Sequence, residues 1–202
     1  MAGGDMGEML VEPLTLVGRT VRLEPLGLQH AEGLWKVSTP ELFTYMWTWS
    51  DTGSLEAFRE NIRRLVSRPD WRSFAIVMGE SGEVAGTTSY LDIRSAHRGL
   101  EIGSTWIGKA YQGTHVNPEN KYLLLRHAFE TLGAVRVQLK TDGRNVQSQR
   151  AMAKLGAKYE GVLRKHMVLP DGYVRDTVMY SVIDEEWPAL KARLEARLGY
   201  AP

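Results

Sequence analysis

The chain has no cysteine. Disulfides, thiolate nucleophiles and cysteine-ligated metals are therefore excluded, and the absence fits a reducing cytoplasm. No apolar run approaches the ~20 residues of a membrane span; a typical one, Phe74-Ala75-Ile76-Val77-Met78, is far shorter. Net charge is nearly absent, +1 over 202 residues, which removes the electrostatic case for nucleic acid or an anionic membrane. The first residues, MAGGDMGEMLVEP, carry Asp5 and Glu8 and no basic stretch followed by an apolar one, so no secretory signal is expected. No GxxxxGK[ST] or GxGxxG occurs, which argues against P-loop and dinucleotide sites. His30, His97, His115, His127 and His166 show no metal-ligand spacing, and no metal is expected.

What remains is an ordinary globular balance, 43% hydrophobic and 24% charged, long enough for one domain with a full core. Residues 20–26 alternate as a strand. Residues 30–37 and 55–66 read as helices, the second with Leu55, Phe58, Ile62, Leu65 and Val66 on one stripe and Ser54 as its N-cap. Strands follow at 72–78, 84–93 and 100–107, the first two as a hairpin. A helix over 118–132 leads to a strictly alternating strand at 135–140. A helix over 146–155 has Asn145 at its N-cap and Gly156 at its stop. Two strands flank the turn Pro170-Asp171-Gly172, and residues 185–198 form a charged helix. A helix crossover around 100–140 implies one parallel pair; the other strands read as antiparallel. The fold class is α+β: a mixed, mostly antiparallel central sheet with helices on both faces.

The segment YQGTHVNPENK, residues 111–121, joins a strand to a helix. Asn117, Pro118 and Glu119 read as a cap, a first helical residue and a dipole partner. A helix N-terminus after a strand is a ready anion site, Gly113 permits close approach, and Lys109 and Lys121 add positive charge. A phosphate or pyrophosphate is the natural guest, although most strand-to-helix turns bind nothing.

At these residues the chain resembles the GCN5-related N-acetyltransferases. Gln112-Gly113-Thr114-His115-Val116-Asn117 stands where that family carries its acetyl-CoA pyrophosphate loop. Glu101 to Ile107 looks like the strand that pairs with the pantetheine arm. The run from Arg144 to Ala157, RNVQSQRAMAKLGA, is similar to a helix of the ribosomal-protein N-terminal acetyltransferase subgroup, and Leu163-Arg164-Lys165 with Asp171 to Asp176 continues the likeness. The resemblance spans roughly residues 18–187, leaving 1–17 as a flexible lead-in and 188–202 as a C-terminal helical tail.

The resemblance implies an acetyl-CoA-dependent transfer to an amine, a protein N-terminus or a small molecule, with acetyl-CoA as co-substrate. Glu101 is then the candidate base, and the backbone at Trp106 or Ile107 the candidate oxyanion donor. On its strand, simple alternation puts Glu101, Gly103, Thr105 and Ile107 on one face. Gln112, Gly113, Thr114, His115, Val116 and Asn117 would hold the pyrophosphate. Asn145 would cap its helix and meet the pantetheine arm, and Ser148 would meet or protonate the thioester sulfur. Tyr45, Trp47 and Trp49 would wall the acceptor site or pack in the core. Arg164, Arg175 and Asp176 would shape its entrance or pair with one another. The terminal helix and the aromatic segment are both candidate dimer contacts. His115 and Asn117 replace glycines of the family's loop, and that departure supports an alternative, a non-catalytic acyl-CoA-binding module with the same fold.

Overall fold

The computed structural model describes residues 9–200. Eight strands form one sheet, β1 (Leu16–Val17), β2 (Val21–Pro25), β3 (Arg72–Met78), β4 (Val84–Arg94), β5 (Gly99–Ile107), β6 (Arg136–Asp142), β7 (Lys158–Val168) and β8 (Val174–Ile183), in spatial order β1-β2-β3-β4-β5-β6-β8-β7. Among the described residues the α-helices are α1 (Ala31–Val37), α2 (Leu55–Val66), α3 (Val116–Arg126) and α4 (Val146–Leu155) between strands, and α5 (Trp187–Leu198) after the last one. Every pair of neighbours is antiparallel except β5 and β6, the two that α3 bridges. The expected element order is present, with β1 added at the edge.

Each face of the sheet has its own core. Leu34, Phe58 and Ile62 of α1 and α2 pack with Trp49 and Trp106 on one side. On the other, Leu123, Leu124, Met152, Leu190 and Leu194 of α3, α4 and α5 pack on Leu100, Ile102, Val137 and Leu139. Met9 and Val11 are buried in that second core. Ordered structure therefore begins before residue 18, and α5 is part of the core rather than an appended tail; residues 1–8 of the expected lead-in lie outside the described residues.

Two features of the sheet shape the site. First, β5 and β6 pair only at Gly99–Arg136, Leu100–Val137 and Glu101–Gln138. Beyond Glu101 the two strands part, and a wedge opens between them. Second, β5 carries a bulge against β4: Thr87 faces Trp106, but Ser89 faces Gly103. Ser104 takes up the extra residue with φ at 47°, and its hydroxyl meets that of Thr48 at 3.0 Å. The bulge resets the alternation. Glu101 faces the α1–α2 side, but Thr105 points to α3, where its hydroxyl accepts from Lys121 Nζ at 2.8 Å. The expectation that Glu101, Thr105 and Ile107 share a face is corrected accordingly.

Opposite the bulge, Gly86 lies against β5. A Cβ there would land on the Trp106 carbonyl oxygen and 2.9 Å from Ile107 Cα. Both are backbone atoms, so no side chain can swing away. Gly86→Ala is expected to destabilise the fold by about 2 kcal/mol and to weaken the binding of any ligand that enters the wedge, since the displaced residues border it. Urea unfolding with a ligand titration checks this; unchanged stability and affinity would show that β5 yields freely here.

Candidate active site

The wedge between β5 and β6 opens into a cleft of about 1230 Å³ that runs from the start of α3, past the bulge, to the β7–β8 hairpin. The α3 end is built from backbone. Gly113 has φ at 74°, and a Cβ on it would meet nothing within 4 Å, so glycine serves conformation here rather than close approach. Among the described residues, the N–H groups of Gly113, Thr114, His115 and Asn117 have no protein acceptor. They gather at a helix N-terminus, whose partial positive charge favours an anion.

Asn117 is not the cap; His115 holds that position, and Asn117 and Pro118 lie in the first turn. Proline loses nothing there, because the first N–H groups of a helix have no intrahelical acceptor. The Asn117 side chain instead faces the cleft, its Oδ1 buried without a donor. Glu119 stands in the first turn, where the dipole favours a carboxylate, and that carboxylate also accepts from Arg19 N at 2.5 Å and Tyr200 Oη at 2.6 Å, clamping the β1–β2 turn and Tyr200 onto α3. The His115 side chain is exposed and Val116 is buried in the core, so neither side chain lines the cleft.

Along the wedge, Gln112 Nε2 donates to the Ile107 carbonyl at 3.0 Å. Gly108 N donates to Ala85 O at 2.8 Å. Since antiparallel bonding alternates along a strand, the Ile107 N–H points away from β4 and toward the wedge. Of the two oxyanion candidates, Ile107 has the usable donor; Trp106 is turned to β4, with its ring in the aromatic core 5.5 Å from that of Trp49. On the far wall, Asn145 Oδ1 caps α4 by accepting from Ser148 N at 3.0 Å, and both side chains line the cleft.

The α1–α2 side holds the charged groups. Glu101 is 2% exposed and lies 2.9 Å from Lys140 Nζ and 3.0 Å from Gln138 Nε2. Burial raises its pKa above the usual carboxylate value, and Lys140 and Gln138 oppose the rise. Asp142 pairs with Arg144 at 2.9 Å. The Arg144 guanidinium lies over the Tyr173 ring at 3.5 Å and the Tyr45 ring at 5.4 Å, linking the hairpin to the aromatic segment across the cleft. Tyr45 and Trp47 line the cleft, whereas Trp49 is buried against Phe58 and forms no wall. Asp176 accepts from Lys165 N at 2.6 Å rather than pairing with an arginine.

Lys121 carried more weight than its sequence position suggested. Its side chain is buried at the cleft, and its Nζ finds a hydroxyl but no carboxylate among the described residues. Burial pulls its pKa down to about 7. Gln138, Lys140 and Asp142 also line the cleft, though no sequence motif singles them out. Their only trace in the sequence is the alternation of β6, which marks a polar face without saying what it meets.

Residues 20–158 match the family described as an acetyltransferase (GNAT) domain. A Bacillus subtilis protein provisionally named ribosomal N-acetyltransferase YdaF is 27% identical over 180 residues, covering 85% of this chain and 94% of that one. A crystal structure from T. thermophilus, provisionally assigned as an acetyltransferase, is 47% identical with a TM-score of 0.87, covering 94% of this chain and 99% of the other. At 22% identity and a TM-score of 0.74, covering 93% and 95% of the two chains, Mycobacterium smegmatis RimJ, solved in complex with CoA-disulfide, shares the fold.

Proposed function

The chain belongs to the GNAT acetyltransferases, and on that premise we propose that it transfers the acetyl group of acetyl-CoA directly to an amine, such as a protein N-terminus. The observation that carries this is the wedge itself. Four unpartnered N–H groups at the start of α3 suit a pyrophosphate. The open edge of β5, with the Ile107 N–H turned outward, suits an amide-bearing arm and a carbonyl.

The chemistry needs no covalent enzyme intermediate. The amine nitrogen attacks the thioester carbon, the C–S bond breaks, and the amine's proton must leave. Glu101 takes that proton, directly or through a water. Ile107 N–H meets the developing oxyanion. Ser148, on the first turn of α4, meets the departing sulfur and relays a proton to it from solvent, while Glu101 returns the amine's proton to solvent. The similarity to YdaF supports a ribosomal-protein N-terminus as the acceptor.

The replacement of the family's loop glycines by His115 and Asn117 does not oppose the proposal. The loop's donors are backbone, and His115 points to solvent. Calorimetric titration with acetyl-CoA, with CoA beside it, tests the reading. Saturable micromolar binding is the expected result, followed by CoA release in the presence of amine peptides. Failure to bind at millimolar ligand would overturn it; binding without release from any amine would favour the non-catalytic module.

A further inference from the structure

The β7–β8 end of the cleft is lined by Lys140 of β6 and Arg175 of β8, with Arg144 in the turn that follows β6. Lys140 pairs with Glu101 and Arg144 with Asp142. Arg175 pairs with nothing among the described residues. It is 4% exposed and lines the cleft, and its Nε is buried without an acceptor. A nearly buried arginine with an unsatisfied Nε and no ion pair among the described residues is costly, and an anion entering the cleft would offset that cost.

We infer that Arg175 binds a carboxylate carried by the acceptor, so that the substrate is an amine bearing a carboxylate close to the reacting nitrogen. The inference rests on the proposed amine acetylation. The planar fork of a guanidinium matches a carboxylate's two oxygens. A single negative charge also suits the surroundings better than a phosphate dianion, because Asp142 and Glu101 already act on this guanidinium. Burial presses the Arg175 pKa down while those two carboxylates hold it up, as expected of a cation short of compensation. The same face of β6 and β8 carries Glu101's partner Gln138, so a carboxylate on Arg175 and an amine near Glu101 lie on one continuous surface.

Two sources of the carboxylate are distinguishable: a free amino acid's own α-carboxylate, or an acidic side chain beside a peptide N-terminus. The test uses matched pairs: free amino acids with their amides, and C-amidated tripeptides with Glu or Gln in second place. Each is assayed by CoA release and by direct equilibrium binding. The carboxylate member of one pair type is expected to be favoured about ten- to hundredfold in kcat/KM, and the pair type that responds identifies the source.

Arg175→Gln should abolish that preference by raising KM for the acid far more than for its neutral twin, with acetyl-CoA affinity unchanged. Equal use of both twins by the wild-type protein overturns the inference, as does a preference that survives in Arg175→Gln. Because the binding arm needs no turnover, the two proposals fail separately. Acetylation without acid preference removes this inference alone; acid-selective binding without acetylation removes the proposed function alone.

Discussion

Glu101→Gln is expected to lower kcat by about 10²–10³-fold while leaving acetyl-CoA affinity unchanged. The substitution keeps the shape of the side chain and removes its capacity to take a proton. Glu101 sits at the last paired position before β5 and β6 part, so it lies where the cleft opens, under the face that carries Lys140 and Gln138. Its pKa is raised by burial. The acidic limb of the wild-type kcat/KM profile should therefore fall above the ordinary carboxylate range: activity drops as pH falls through the raised value and the base becomes protonated. That limb should vanish in the variant. A variant with wild-type kcat, an unchanged pH profile and only a lower melting temperature would instead assign Glu101 to the ion pair with Lys140.

Lys121→Met is expected to stabilise the protein by about 2–4 kcal/mol at neutral pH. The folded lysine has a pKa of about 7 because burial disfavours its charge, against an ordinary 10.5 in the unfolded chain. Below pH 7 the fold carries the full penalty, about 5 kcal/mol at 1.36 kcal/mol per unit. Between about 7 and 10 the unfolded chain binds the proton and the folded chain does not, so wild-type stability rises with pH across that window. The methionine removes both the penalty and the slope, and its advantage should fade toward pH 10. Thr105 loses Lys121 but keeps the Thr88 hydroxyl at 2.8 Å, which limits the damage. Denaturant unfolding at several pH values decides: parallel pH curves for the two proteins would show that Lys121 is solvated in the cleft and ordinary.

Both residues illustrate where the sequence stops being informative. The Asn145 cap and the Gly156 stop of α4 were legible because a cap and its targets lie within one turn. The hairpin of β3 and β4, the crossover through α3, and the order of the elements follow from local alternation and periodicity, and the run RNVQSQRAMAKLGA carried the family resemblance. The cluster of free donors before α3 was legible because helix N-terminal N–H groups belong to the backbone whatever the side chains are.

What the sequence determined by itself was therefore the list of elements, their order, the loop that starts α3 and the family. Tertiary structure alone decided which polar groups matter. The bulge at Ser104 turns Thr105 away from Glu101's face, and no local pattern announces it. The clamp of Glu119 on Arg19 and Tyr200 joins residues 100 and 81 positions away from it. The burial of Lys121, the pairing of Glu101 with Lys140 and the unpaired state of Arg175 likewise depend on neighbours brought from distant strands. Periodicity reports which side of an element faces inward; the energy of a charge depends on what waits there, and that is fixed only when the sheet is assembled.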